Sequence, residues 1–263
     1  MVITTGLSHK KYLMSGHDGS IGAIMIKNNP NIKSFNIKND VSNINTFLHL
    51  AASIEDERII ESNIIYLQKV VEYCIKNKIK NFVYFSSVSV YGRQNKLDIS
   101  ESSCGNELSL YASSKLFAEA YLKSIANLNV LIIRLPAVLT NKKGTYISSL
   151  LVKLKNSEDI VLPNYEKQFN NFIGVDDIMN FIDRYEFYKN YEIINFASVK
   201  SQSLKDIVLF LYELISSKSK IYFDDTLKNF YNLNVDKLTL EYKYIPMNYK
   251  NSLEKWVEIN NER

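Results

Sequence analysis

Three glycines constrain this chain more than any other feature. The sequence holds only eight, and Gly16, Gly19 and Gly22 fall together in S-G-H-D-G-S-I-G at a three-residue period. The segment follows the short apolar run Tyr12–Ser15 and precedes a helix-like stretch over residues 21–27. A strand-to-helix turn this tight needs backbone without Cβ, and the start of the next helix offers free N–H groups and a positive dipole end. That combination suits a pyrophosphate. The spacing departs from G-x-G-x-x-G, so the turn alone specifies a dinucleotide or another phosphate and leaves the chemistry open.

The rest of the chain carries the same rhythm. Apolar runs of strand length recur over residues 46–52, 82–86 and 130–135. Apolar on consecutive positions, they suit strands buried on both faces of a parallel sheet. Helical stripes lie between them. Residues 62–77 align Ile64, Leu67, Val70, Val71 and Cys74, and residues 111–125 align Leu116, Ala120 and Ile125. Strand alternating with helix predicts an α/β, doubly wound core. Further on, residues 176–188 predict a helix, 192–197 a strand and 204–216 a helix, the first two able to return to the core sheet. The expected division is a dinucleotide-binding core over residues 1–140, with returning segments near 172–197. A smaller substrate-side region would cover 141–263, over the carboxyl edge where open sheets bind ligands.

The chemistry-bearing candidates are Ser87, Tyr111 and Lys115. Tyrosine and lysine are so abundant that chance accounts for both i,i+4 pairs present, Tyr111/Lys115 and Tyr185/Lys189. Context separates them. Tyr111 opens an amphipathic helix some two dozen residues after the hydroxyl-rich strand end F-S-S-V-S-V-Y-G. Tyr185 closes a helix with no such neighbour, and is expected to be a surface pair with Lys189. Positions i and i+4 share a helix face, which puts Lys115 beside the Tyr111 phenol. Lowering a phenol from about 10 to neutral pH needs ~4 kcal/mol. One ammonium ~4 Å away at an effective dielectric near 20 supplies about that much. A longer separation requires a second positive charge, such as an oxidised nicotinamide. Ser87 would then hydrogen-bond a carbonyl or alkoxide oxygen, completing a proton-transfer unit for hydride chemistry.

Composition excludes several classes. With 46% hydrophobic and 23% charged residues, the chain is an ordinary globular one. A net charge of +4 is too weak to indicate nucleic acid. Cys74 and Cys104 make no C-x-x-C pair and no disulfide framework. His9, His17 and His49 lack ligand-spaced companions, so no metal is expected. No run approaches the ~18 apolar residues of a membrane span. These readings predict a cytoplasmic protein without a membrane partner.

In order along nearly its whole length, the chain resembles the extended short-chain dehydrogenase/reductase family of nucleotide-sugar epimerases, dehydratases and reductases. Gly16, Gly19 and Gly22 match its glycine motif, and His49-Leu50-Ala51-Ala52 resembles its strand-four cofactor segment. Asn63 matches the asparagine opening the next helix, and residues 81–92 resemble strand five with its loop. Counting back from Val90-Tyr91-Gly92 puts the family's catalytic hydroxyl on Ser87. Tyr111 and Lys115 match the base and its partner, and Arg134-Leu135-Pro136 the segment near the nicotinamide. Residues 169–177, F-N-N-F-I-G-V-D-D, resemble the substrate-side F-I-x-V-D-D element. The resemblance implies a Rossmann-like fold, an NADP or NAD cofactor with NADPH placed first, and a homodimer through helices 62–77 and 111–125. It also implies a nucleotide-sugar substrate, of the kind used in polysaccharide biosynthesis. Cofactor contacts are expected from Gly16, Gly19, Gly22, Asp40, Leu50, Ala51, Ala52, Tyr111, Lys115 and Pro136. Substrate contacts are expected from Ser87, Ser89 and Asn170.

The departures narrow the reaction. Only 26 residues separate Gly22 from His49, where the family places two strands and two helices, so at least one unit should be missing. Asp40 is the only acidic residue in that stretch. Ala137 stands where many relatives have a phosphate-side asparagine, and Asn170 where many have arginine, which removes bidentate donors. Asp176 and Asp177 are expected to start a helix. Val88 and Ser89 replace the Asp-Glu pair of the dehydratases, so dehydration is disfavoured. A shortened adenosine side favours a cofactor exchanged at each turnover. The expectation is therefore reduction of a nucleotide-linked 4-ketosugar. A 4-epimerase stands second, and a non-catalytic dinucleotide sensor stands as the alternative from another class.

Overall fold

The computed structural model describes residues 10–36, 41–94, 98–140, 145–163, 165–224 and 231–261. Its centre is a six-stranded sheet: β1 (Tyr12–Ser15), β2 (Ile32–Ser34), β3 (Thr46–His49), β4 (Asn81–Ser87), β5 (Asn129–Leu135) and β6 (Tyr191–Asn195). All neighbours are parallel, in the order β6-β5-β4-β3-β1-β2. From β1 the chain runs outward to β2, then back across to β3 and onward to β6. The order therefore reverses at β1/β3, and open parallel sheets bind ligands beyond the strand ends at such a point.

Every residue of β1 and β3 is buried, as the unbroken apolar runs require. Alternate side chains feed two cores. Leu13, Phe47, Phe82 and Val130 point to one face, where α2 (Tyr66–Lys76) and α3 (Leu110–Lys123) supply Val70, Val71, Ala118 and Leu122. Met14, Leu48, Val83 and Leu131 point to the other, against Ile24 and Met25 of α1 (Ser20–Asn28) and Ile178 and Phe181. The latter two belong to α5 (Val175–Arg184), which follows α4 (Tyr146–Lys155). A third core joins α4 to α6 (Leu204–Leu214) and α7 (Tyr249–Asn261) through Leu150, Leu154, Ile207, Leu211 and Trp256. The Trp256 indole donates to the Thr140 carbonyl at 2.7 Å and fastens this region to the segment leaving β5.

The short stretch between α1 and β3 holds one strand, β2, and no helix among the described residues, so a crossover unit is absent. Several bounds differ from the sequence expectation; the helix expected over residues 176–188, for one, ends at Arg184. β3 stops at His49, and the Leu50–Ala51 backbone that follows packs directly against Gly16. The helix expected at 62–77 begins as a π-helical turn, Ile60–Ile65, and becomes α-helical at Tyr66. Among the described residues, no helix is long and apolar enough to cross a membrane.

Candidate active site

Backbone packing dictates the glycine turn. Gly16 has φ +78°, and a Cβ there would lie 2.6 Å from the Ala51 nitrogen. A Cβ on Gly22 would lie 2.2 Å from the Gly16 carbonyl oxygen. Both positions therefore exclude a side chain. Gly19 caps α1, whose first turn carries no acidic residue, so its free N–H groups and positive dipole end face the cleft uncompensated. Two cavities meet over this turn. One, of about 410 Å³, is lined by Gly16, Gly19, Gly22, Leu50, Ala52, Ser87, Tyr111, Lys115, Pro136 and Ala137, among others. The second, of about 500 Å³, shares Gly16, Gly19, Leu50 and Ala52 and adds Phe35, Ala51, Arg58 and Tyr66. Paired cavities astride a glycine turn suit a dinucleotide in shape.

Ser87 ends β4 and caps the following 3-10 turn, its Oγ accepting from the Ser89 N–H at 3.1 Å. It also hydrogen-bonds the Tyr111 side chain. Tyr111 sits in the first turn of α3, where Ser109 caps the helix by accepting from the Ala112 N–H at 3.2 Å. Burial raises the phenol above its ordinary value, and the Ser87 hydrogen bond opposes that only in part. Lys115 is not among the influences on the phenol, which is the case in which a second positive charge is expected. The Lys115 ammonium lies 5.8 Å from the Tyr111 ring centroid and donates instead to the Phe85 carbonyl at 2.8 Å. Burial pulls Lys115 itself down to about 7, despite the raising influence of Glu119.

The triad is held from behind by a network centred on Glu119, which the sequence reading did not single out. Glu119, one turn beyond Lys115, accepts from Ser86 Oγ at 2.5 Å and pairs with Arg134 through bonds of 3.1 and 2.6 Å. Arg134 also donates to the Tyr91 hydroxyl at 2.9 Å, and Tyr91 donates to Asn195 Oδ1 at 2.6 Å. The ion pair is buried, and removing one partner of such a pair costs about 3–5 kcal/mol. Arg134 therefore points away from the cleft, while Leu135 and Pro136 line it. At the start of α3, Asn63 donates to Ser114 Oγ at 3.0 Å and bonds the Ser53 backbone in both directions. The 111/115/119 spacing is the one sequence signal that could have exposed Glu119.

Other expected residues sort differently. Ser89 lies two residues beyond Ser87, and its buried Oγ has no hydrogen-bond partner. Asn170 is not among the cleft-lining residues. It is buried, donating to the Ser198 and Leu233 carbonyls and accepting from the Leu233 N–H, each at 2.9 Å. Its amide braces the chain, which corrects the expected substrate contact. Asp40 lies outside the described residues. Tyr185 is buried among aromatic rings, so Tyr185/Lys189 is not a surface pair. Asp177 does belong to a helix start, accepting from the Met247 N–H at 2.9 Å. No group of three potential metal ligands exists among the described residues.

No curated protein sequence matches the chain. Similar solved structures include UDP-glucuronic acid 4-epimerase from Bacillus cereus in complex with NAD, at 19% identity and TM-score 0.78, covering 96% of this chain and 99% of that one. RMD from Pseudomonas aeruginosa, complexed with NADPH, has 17% identity and TM-score 0.78 over 97% and 100% of the two chains. UDP-glucose 4-epimerase from Thermotoga maritima has 18% identity and TM-score 0.78 over 96% and 99%. The model of the NAD dependent epimerase/dehydratase family matches residues 39–195. That span is more than half of the chain, which therefore belongs to the NAD dependent epimerase/dehydratase family and is an enzyme of the oxidoreductase type.

Proposed function

We propose that the chain reduces a nucleotide-linked 4-ketosugar, using NAD(P)H that it exchanges at every turnover. The observation that carries this reading is the convergence of Ser87, Tyr111 and Lys115 on one cleft with the glycine turn. Valine and serine occupy positions 88 and 89, where dehydration would need two carboxyl groups. The turn of Gly16, Gly19 and Gly22 would hold the pyrophosphate, with Leu50, Ala51, Ala52 and Pro136 walling the cofactor. When bound, the cofactor supplies the hydride and, once oxidised, a positive charge. Tyr111 protonates the C4 oxygen, Ser87 hydrogen-bonds that oxygen, and Lys115 holds the cofactor ribose. Support for exchange comes from β2, an edge strand with no further crossover beside it among the described residues.

The test supplies NADPH or NADH and a nucleotide 4-ketosugar. Loss of reduced nicotinamide in step with product alcohol is the expected result. Interconversion of 4-epimers with no net loss of reduced cofactor would replace this reading with the 4-epimerase. We further propose that two copies pair through α2 and α3, which expose Ile75 and Phe117. Sedimentation should give a two-chain mass, and a one-chain mass at micromolar concentration would count against pairing.

A further inference from the structure

Lys115 is 2% exposed and has no ion-pair partner among the described residues. A buried ammonium in that position should lose its proton or its place unless something else favours the charge. The groups around it are few. On α3, Glu119 is committed to Arg134 of β5 and to Ser86. On β3, His49 is buried, with Nδ1 bonded to Ser15 Oγ at 2.8 Å, and burial with the Lys115 charge holds it neutral at about 3. Tyr66 of α2 lies beyond the His49 ring. Tyr111 of α3 presents its ring at 5.8 Å. What remains is β4: the Phe85 carbonyl accepts one Lys115 proton at 2.8 Å, and the Tyr84 ring centroid lies 4.7 Å from the ammonium.

We infer that Tyr84 is a positioning residue whose ring face seats the Lys115 ammonium and keeps it charged beside Tyr111. A cation within about 6 Å of a ring centroid is attracted to its negative face, most strongly where water is excluded. The ring is itself fixed. Tyr84 is 1% exposed, and the His49 imidazole stacks on it with centroids 5.8 Å apart and planes 14° apart. Burial keeps the Tyr84 phenol protonated, so the ring stays neutral. Strand geometry couples the parts. Tyr84 sets the ring, Phe85 the carbonyl and Ser87 the hydroxyl, all on β4, so one strand registers Lys115 against Tyr111. The seat is a property of the cofactor-free chain. Its consequence for Tyr111 as proton donor rests on the function proposed above.

The experiment titrates Lys115 directly, with no substrate present. Full-length protein labelled with 13C at lysine Cε is followed by NMR across pH, the Lys115 signal being identified by its loss in Lys115→Gln. Tyr84→Phe keeps the ring face and should leave the ionisation constant within about threefold of the parent. Tyr84→Leu should make Lys115 lose its proton at least ~10-fold more readily. Equal constants in the Phe and Leu variants, both folded by circular dichroism, would overturn the inference. Should Tyr84→Leu fail to fold, phenylalanines carrying one, two and three ring fluorines at position 84 preserve the shape while weakening the face. A stepwise increase in the ionisation constant supports the seat, and a flat series overturns it even if the Leu variant shifts. Because no turnover is read, this result stands apart from the success or failure of the reductase assay.

Discussion

In the proposed reduction Tyr111 gives up a proton near neutral pH from a place where burial holds that proton tightly. At 5.8 Å from its ring, Lys115 offsets this only weakly. The remaining help would come from the nicotinamide, which would gain its positive charge only as the hydride leaves it. The phenol is thereby kept protonated in the empty enzyme, which suits a proton donor that acts as hydride is delivered. Tyr111→Phe should reduce turnover by about 10²- to 10⁴-fold, measured by cofactor oxidation, while leaving the cofactor dissociation constant unchanged. Parent-level rates in that variant would remove Tyr111 from the mechanism. Ser87, Tyr111 and Lys115 were legible in the sequence because their spacing is local to one strand end and one helical turn. Tyr91–Asn195 and Glu119–Arg134 were not, since these partners stand 104 and 15 residues apart and meet only in the folded sheet.

At the scale of elements, periodicity located each strand of the sheet except β2, whose three residues, one buried and two exposed, make no apolar run to register. It missed the π-helical turn at Ile60–Ile65, because a single wide turn leaves the apolar stripe of α2 intact. Family analogy, not periodicity, pointed Asn170 outward, and its hydrogen bonds point inward. The edge strand β6 shows what pairs the sheet to the C-terminal segment. Glu192 accepts from Lys189 at 2.5 Å, Lys237 at 2.9 Å and the Tyr242 hydroxyl at 2.7 Å. Burial alone would raise its carboxyl, but hydrogen bonds from Lys189, Lys237 and Tyr242 outweigh burial and hold it at about 2. Its folded value lies below the unfolded ~4.3, so its contribution is complete above that pH and fades as pH falls through about 2. Glu192→Gln should therefore lower the melting temperature at neutral pH, and its deficit against the parent should close between about pH 4 and pH 2. A deficit that stays constant across that range would show that the carboxylate charge contributes nothing.

Across the whole molecule, the reversal of strand order at β1/β3 decides where chemistry can occur. It opens the crevice, the glycine turn floors it, and β4 with α3 brings the proton-transfer residues to one wall. The doubly wound plan could be read from short apolar runs alternating with amphipathic helical stripes. The C-terminal region could not, since its small two-stranded pairings and shared core depend on contacts between distant segments. Loss of a crossover unit beside β2 is the feature that bears most on function, for it thins the adenosine side while leaving the reacting side complete. The central claim is thus an enzyme whose nicotinamide cofactor comes and goes. The most direct test adds NADPH and NADH to purified protein, follows nicotinamide fluorescence, and checks denatured protein for released cofactor. The account predicts an initially empty site that binds added reduced cofactor, with NADPH preferred. Retained NAD that does not exchange, or no binding of either cofactor, would contradict it.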